Sequence, residues 1–453
     1  MSRPTLSVVM IVKDEAGCLG RCLDAVRSIA DEIVVGDTGS SDDTIAVAER
    51  FGAKVLEIPW HNDFAEARNR VLEAATGDWL LHLDADEVVD AANAERIRGV
   101  VDADGAAADA APEYGGGADA IEVMLANYSN DARAWRWVPV EPGDPMAAGY
   151  AGYIAVPLLR LFRNGRGYEY REPVHESITE SVIEAGGVIR REPILIHHYG
   201  YESEGKRDER KARLYLDIER KKVQQRPGDA KAWHDLAEQS LALGEVEEAE
   251  AAARKALSLE PAHLGAATTL ANLLLNRGDL DEAREVLEAV HTADTPPHVA
   301  TALGAIACTQ GRLEEAMQTL DSVLERHPKT LMARLYLARA LDRLGDSAGA
   351  AAQLEQALAL APSLQETQER VAAHRLRLDG ERAYTEGKMQ DTLAATVEAV
   401  KRDPEDPIAH NNLGVVLTAL GERARAEEAF RRALHLAPDF EDAKENLAAL
   451  SRA

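Results

Sequence analysis

The first ninety residues alternate between two hydrophobic periods. Short apolar runs, LSVVMIV at 6–12, EIVVG at 32–36, KVLEI at 54–58 and DWLLHL at 78–83, are rich in Val, Leu and Ile and read as buried parallel strands. Amphipathic segments near 15–30, 42–51 and 63–75 separate them, each long enough for a crossover helix. This alternation predicts an α/β sheet with right-handed crossovers, whose ligands sit outside the carboxyl ends of the strands. The residues expected at that edge are Lys13-Asp14-Glu15, Asp37-Thr38-Gly39-Ser40, Trp60-His61-Asn62-Asp63 and Asp84-Ala85-Asp86-Glu87. So many carboxylates suit a metal with a nucleoside better than a bare phosphate cradle.

Beyond this block the pattern changes twice. Residues 101–119, rich in Ala, Gly and Asp, read as a surface loop. Strand-like runs return at 121–128 and 188–200, with an aromatic segment around Trp135, Trp137, Tyr150 and Tyr153 between them. A charged helix is expected at 206–225. From about 230 the chain repeats. Gly244, Gly278, Gly311, Gly345, Gly387 and Gly421 recur at spacings of 34, 33, 34, 42 and 34, and Pro261, Pro296, Pro328, Pro362, Pro404 and Pro438 keep the same rhythm. Ala249, Ala283, Ala316, Ala350 and Ala426 follow five residues after most of these glycines. The unit reads as helix, Gly turn, helix, Pro break, and its period and punctuation resemble the tetratricopeptide repeat (TPR). Unit five departs, with Thr392 at the small position and about eight residues inserted near 365–372, a place where the array is expected to kink. The last residues, DAKENLAALSRA, read as a polar capping helix.

Composition narrows the function classes. The 453 residues carry a formal charge of −27, with 27 Lys and Arg against 41 Asp and Glu in residues 1–229 and 24 against 37 in residues 230–453. Acidity in both halves leaves no basic footprint for nucleic acid and no polybasic signal for anionic lipid. Cys18 and Cys22 have no second Cys or His pair nearby and are expected to be packing residues in a reducing compartment. No run approaches 18 apolar residues, so no membrane insertion is expected, and a cytoplasmic location follows as the expectation. No GxGxxG follows the first strand, which excludes a dinucleotide-binding dehydrogenase.

The motifs SVVMIVKDE, IVVGDTGSSDDT and GDWLLHLDADE resemble family 2 glycosyltransferases of the nucleotide-diphospho-sugar (GT-A) fold. RNxxLEAATGDWLLHLDADE is similar to the subgroup in which this domain precedes TPRs. The resemblance covers roughly residues 5–200. It implies a hexosyltransferase-type enzyme that uses a UDP-sugar and Mn²⁺ or Mg²⁺. A departing diphosphate needs a divalent ion with hard oxygen ligands. By the resemblance, Asp86 is the metal ligand, Asp84 helps hold the ribose, and Asp37 accepts a hydrogen bond from uracil. Lys13, Asp14 and Glu15 are implied nucleoside contacts, and Arg68 and Asn69 lie near the diphosphate. His198, in an HYGY run continuing to Tyr201, is implied as a late metal ligand. Bland readings stand beside these. Asp86 could cap the next helix, Asp37 could form an Asx turn before Gly39, and His198 could be a core histidine.

An inverting transfer needs one general base on the acceptor. Glu176, in Pro173-Val174-His175-Glu176, is that candidate, with Asp131 and Glu172 as lesser alternatives. His175, Trp135, Trp137, Tyr150 and Tyr153 are candidate sugar or acceptor contacts, although such aromatics often only pack a loop. The expected organisation is a GT-A domain at 1–204, a connecting helix at 205–229, an all-α TPR solenoid of about six repeats at 230–440 and a capping helix at 441–453. A concave repeat surface suits a protein or peptide acceptor or partner. Two alternatives stay open: a glycan or lipid-linked acceptor with the repeats used for homodimerisation or complex assembly, and a non-catalytic scaffold.

Overall fold

A computed structural model describes residues 3–103, 117–132, 134, 136–141, 143–199, 209–292 and 294–452, with side chains of the helix from 209 described from Ala212. Most of the expected loop at 101–119, Trp135, Gly200, Tyr201 and the expected junction at 204–205 lie outside these residues. The chain forms two compact units. One comprises Met1–Ser129 with Tyr153–Ala252, and the other Asn130–Gly152 with Ala253–Ala453. The sequence-based boundaries differ from these at two places. Residues 209–252 belong with the α/β unit, and the aromatic segment 130–152 belongs with the repeats.

The α/β unit runs β1 (Leu6–Val12), α1 (Leu19–Val26), β2 (Glu32–Asp37), α2 (Thr44–Arg50), β3 (Lys54–Glu57), α3 (Phe64–Ala74), β4 (Trp79–His82), β5 (Glu87–Val88), α4 (Ala91–Asp102) and β6 (Ala120–Ser129). After β7 (Trp137–Pro139), which lies in the other unit, come β8 (Gly152–Arg163), α5 (Thr179–Glu184), β9 (Ile189–His198), α6 (Glu209–Gln225) and α7 (Ala230–Ala242). The strands are ordered β3-β2-β1-β4-β8-β6-β9-β5. β1 pairs parallel with β2 and β4, whereas β8 runs antiparallel to β4.

Strand alternation explains why the runs are apolar throughout: both faces of the sheet are covered. Val8, Met10 and Val12 join Leu19, Leu23, Val26 and Ile97 in one core, while Val9, Val34 and Leu80 face Ala67, Val71, Phe162 and Val182 in another. The first helix is shorter than its apolar pattern suggests. Glu15–Cys18 form a turn whose Glu15 carbonyl accepts from Cys18 and Leu19, and α1 begins only at Leu19. Cys22 is fully buried and Cys18 half-buried, both as free thiols.

The periodic glycines, Gly244 in the α/β unit and the others in the repeat unit, end their helices in the left-handed region, with φ between 75° and 89° at all six, where a Cβ would be strained. Ala249, which lies in the α/β unit, and Ala283, Ala316, Ala350 and Ala426 are completely buried, so neighbouring helices approach closely. Unit five absorbs its insertion by lengthening. Helix Gln365–Thr385 has 21 residues where Leu331–Arg343 and Pro407–Ala419 have 13, about two extra turns. An added length near whole turns keeps the same face inward. Thr392, buried at the small position, donates its hydroxyl to the Lys388 carbonyl at 3.0 Å.

Helices α6 and α7 enclose a charged cluster. Lys222 Nζ donates to Asp235 at 2.8 Å and lies 3.5 Å from Glu219. Glu219 is fully buried, and neither carboxylate oxygen has a hydrogen-bond partner among the described residues. Burial pushes its pKa up to about 7, against the pull of Lys222. An acid held above its unfolded pKa favours the folded state when protonated, so stability is lost as pH rises from the ordinary Glu range through about 7. Glu219→Gln should therefore nearly match wild type at about pH 4 and exceed it at about pH 8, by up to about 3 kcal/mol. Thermal unfolding across that range checks this; an equal midpoint difference at both pH values would contradict it.

Candidate active site

The parallel register brings the expected edge together. Val12 pairs with Asp37, and Val9 with His82, so the segments after β1, β2 and β4 emerge side by side. The first two are laced together. Asp14, at φ 56°, accepts from the Ser41 amide at 2.6 Å and hydroxyl at 3.0 Å. The Asp14 amide donates to Ser40 Oγ at 2.9 Å, and the Glu15 amide to Thr44 Oγ1 at 2.7 Å. The two Ser41 bonds lower the Asp14 pKa, the amide contributing most. Lys13 is exposed beside them. Asp37 is buried and accepts from the Gly39 and Ser40 amides, both at 3.0 Å. It makes the Asx turn, with lone pairs remaining.

The third segment is built on two buried guanidiniums. Arg68, from α3, donates Nε to Glu176 Oε1 at 2.7 Å and Nη2 to Asp84 Oδ1 at 3.1 Å. Arg160, from β8, donates Nη2 to Asp84 Oδ2 at 3.2 Å and to Glu87 Oε1 at 2.6 Å. Both also contact the His82 ring, and Tyr170 Oη lies 2.7 Å from His82 Nδ1. Burial, reinforced by the two cations, keeps the His82 pKa well below the ordinary imidazole range, so the ring is neutral. Burial alone would raise Asp84, but Arg68 and Arg160 outweigh it and hold that carboxylate well below its usual range. Burial wins at Glu87, whose pKa is raised despite Arg160.

Asp86 faces His198. Its Oδ2 lies 2.9 Å from His198 Nε2, while His198 Nδ1 sits 2.6 Å from Asn127 Oδ1. An Asn oxygen can only accept, so Nδ1 carries the proton and Nε2 points to Asp86. Burial opposes the imidazolium, yet Asp86 prevails and raises the His198 pKa. Asp86 does not cap the next helix; Asp90 does, accepting from the Asn93 amide at 3.0 Å. The buried core histidine of the pair is His197, held between Tyr128 Oη at 2.8 Å and Asp90 at 3.0 Å. Nitrogen and carboxylate together suit Mn²⁺ more than Mg²⁺. Among the described residues no cluster of three or more His, Cys, Asp or Glu is poised to hold an ion, so the remaining ligands would be substrate oxygens and water.

Several candidates have other work. Asn69 clips the Tyr170 backbone, accepting from its amide at 2.7 Å and donating to its carbonyl at 2.9 Å. That clip fixes Asn69 on α3, next to Arg68, and leaves its second N–H uncommitted. Glu172 is ion-paired to Arg226 and Lys222. His175 is exposed at φ 56°. Tyr153 packs edge-on against Tyr128 at 5.8 Å. Trp137, Tyr150 and Asp131 fall in the repeat unit, where Trp137 packs against a core of Ala132, Ala151, Leu331 and Leu335.

His82, Arg160, Tyr170 and Asn127 escaped the sequence reading, and Glu87 was placed at the edge without a role. A histidine inside the apolar run WLLHL and an arginine inside LLRLF were the available signals.

No helix among the described residues is long and apolar enough to cross a membrane. Residues 7–148 match the profile of glycosyl transferase family 2. Residues 207–334 match the TPR domain of cytochrome c-type biogenesis protein H, and 331–356 and 380–440 match tetratricopeptide repeats. A TPR repeat-containing protein of Synechococcus elongatus is 29% identical over 447 residues, 95% of this chain and 92% of that protein. An uncharacterized glycosyltransferase of Rickettsia felis is 40% identical over 87 residues, 18% of this chain and 29% of its own length. The chain thus spans under a third of that relative. A solved tetratricopeptide repeat protein from Parabacteroides merdae is 17% identical, with a TM-score of 0.38 over 54% of this chain and 94% of that one.

Proposed function

We propose that this chain, in which a family 2 glycosyltransferase domain is followed by tetratricopeptide repeats, is an inverting, divalent-metal-dependent transferase. It moves a sugar from a UDP-sugar to a protein or peptide engaged by the repeats. The observation that carries this reading is the pairing of Asp86 with His198 at 2.9 Å, beside Asp84 at the carboxyl edge of the parallel strands. A bound divalent ion would neutralise the departing diphosphate. Asp86 and His198 Nε2 are the residues that would hold it. Asp84, fixed by Arg68 and Arg160, would hold the ribose, and Asp37 would accept from the base. Glu176 keeps Oε1 on Arg68, and its other oxygen would take the acceptor proton. Repeat arrays of this type offer concave surfaces to extended peptides, which supports the choice of acceptor.

The test is a panel of UDP- and other nucleotide-sugars, each with Mn²⁺ and with EDTA, scored for thermal stabilisation and release of nucleotide. A metal-dependent shift with UDP-sugars is expected. No shift with any donor, with or without metal, would remove the enzyme reading.

A further inference from the structure

The segment carrying Glu176 is held in a costly shape. Arg171 and Ser177 exchange backbone hydrogen bonds of 3.0 and 3.1 Å, and between them two residues other than glycine are left-handed, Glu172 at φ 76° and His175 at φ 56°. Such conformations cost about 1–3 kcal/mol each and persist only where surrounding contacts over-determine them. Three braces are present. The Pro173 carbonyl accepts from the Phe64 amide at 3.0 Å. Arg68 holds Glu176 itself. The third comes from the end of α6, where Lys222 Nζ lies 3.5 Å from Glu172 Oε2 and Arg226, the residue after the helix, pairs with Glu172.

Helix α6 is itself well anchored. Lys222 is buried, and Asp235 of α7 holds it at 2.8 Å. Tyr215 meets Phe64 edge-on, with ring centroids 5.9 Å apart. Phe64 opens α3, the helix that supplies Arg68. The same helix therefore supports both elements that fix the Glu176 carboxylate.

We infer that Glu172 is a positioning residue through which α6 sets the Glu176 carboxylate for acceptor activation, so that α6 and α7, which match a repeat profile in sequence, serve the catalytic unit. This rests on the reading of Glu176 as the base. Strain at 172 and 175 is maintained because the ion pairs to Lys222 and Arg226 close on one side chain. Without them the loop relaxes, and the base moves relative to the attacking oxygen. Misplacement of a reacting group by about 1 Å costs on the order of a hundredfold in rate. Donor binding, built on the strands of the sheet, is left in place.

The experiment uses the full chain, with Mn²⁺ and the UDP-sugar from the panel that gives the fastest release of UDP to water. Glu172→Ala should lower kcat at least tenfold while leaving the donor KM within twofold. Glu172→Gln, still able to accept from Arg226, should recover most of the rate. Arg226→Met, on a half-exposed side chain and therefore safe for folding, should give a smaller loss of about threefold. In the Glu176→Gln background, Glu172→Ala should have no further effect, because its action runs through that carboxylate. An unchanged kcat in Glu172→Ala, or an equal loss in both backgrounds, would overturn the inference alone. A Glu176→Gln variant as fast as wild type would overturn the base assignment and this inference with it. Wild type that releases UDP from no donor would overturn the function proposed above.

Discussion

Asp86→Ala is expected to weaken Mn²⁺-dependent binding of the nucleotide-sugar by about a hundredfold or more, while the helical repeats stay folded. The reasoning follows the chemistry of the pair. Loss of a residue that only orients a metal ligand typically costs about 10–100-fold in metal affinity, and loss of a ligand costs more. The structure supplies both kinds of position. Asp86 Oδ2 faces His198 Nε2 at 2.9 Å, and Asn127 Oδ1 holds the opposite ring nitrogen at 2.6 Å. Asn127→Ala should accordingly fall between wild type and Asp86→Ala. The signal of free Mn²⁺ in electron paramagnetic resonance, titrated with protein and UDP, ranks the three directly. Equal affinities in wild type and Asp86→Ala would place the ion elsewhere. A deficit larger for Asn127→Ala than for Asp86→Ala would make His198, not Asp86, the dominant ligand.

What could be read in the sequence depended on how local the determining interactions are. β1, β2 and β4 are buried on both faces, so their apolar runs match the observed strands within a residue or two. The periodic glycines were legible because a left-handed helix end is a one-residue requirement. Asp84 and Asp86 gained meaning from their place after β4, and the structure puts Asp37 at the same edge. Arg160 carried only the mark of a charge inside an apolar run, which says nothing of its partners. Its role exists because β8 enters the sheet antiparallel beside β4, with Leu81 opposite Leu161, and that pairing joins residues eighty apart. The units posed a related difficulty. Residues 209–252 carry a repeat-like pattern, yet Lys222 and Arg226 reach Glu172 through charge pairs that no periodicity encodes. Trp137 joins the core of Ala132, Ala151, Leu331 and Leu335 for a related reason: aromatic character does not say which core a ring enters.

Arg160→Met should destabilise the α/β unit by stranding the charges it holds. Arg160 is buried and is the group shared by Asp84, Glu87 and His82. Without it, Glu87, almost fully buried, and Asp84, whose side chain is 35% exposed, face one another beside a neutral imidazole. Removing one partner from a buried ion pair typically costs about 3–5 kcal/mol, because the remaining charge is left uncompensated. The exposure of Asp84 and its second cation, Arg68, place the expected loss near the lower end, about 3 kcal/mol. Arg160→Lys should rescue little. One ammonium on a flexible stem cannot reproduce a planar fork that reaches two carboxylates and a ring together. Glu87→Gln in the Arg160→Met background should recover part of the loss, since it removes one of the two stranded carboxylates. Urea unfolding followed by tryptophan fluorescence is a suitable probe, because Trp79 opens β4 in the core of this unit. A midpoint within error of wild type for Arg160→Met would show that Asp84 and Glu87 are held by their backbone and solvent contacts alone. Equal destabilisation in the single and double variants would assign the effect to lost packing of the arginine stem and not to charge.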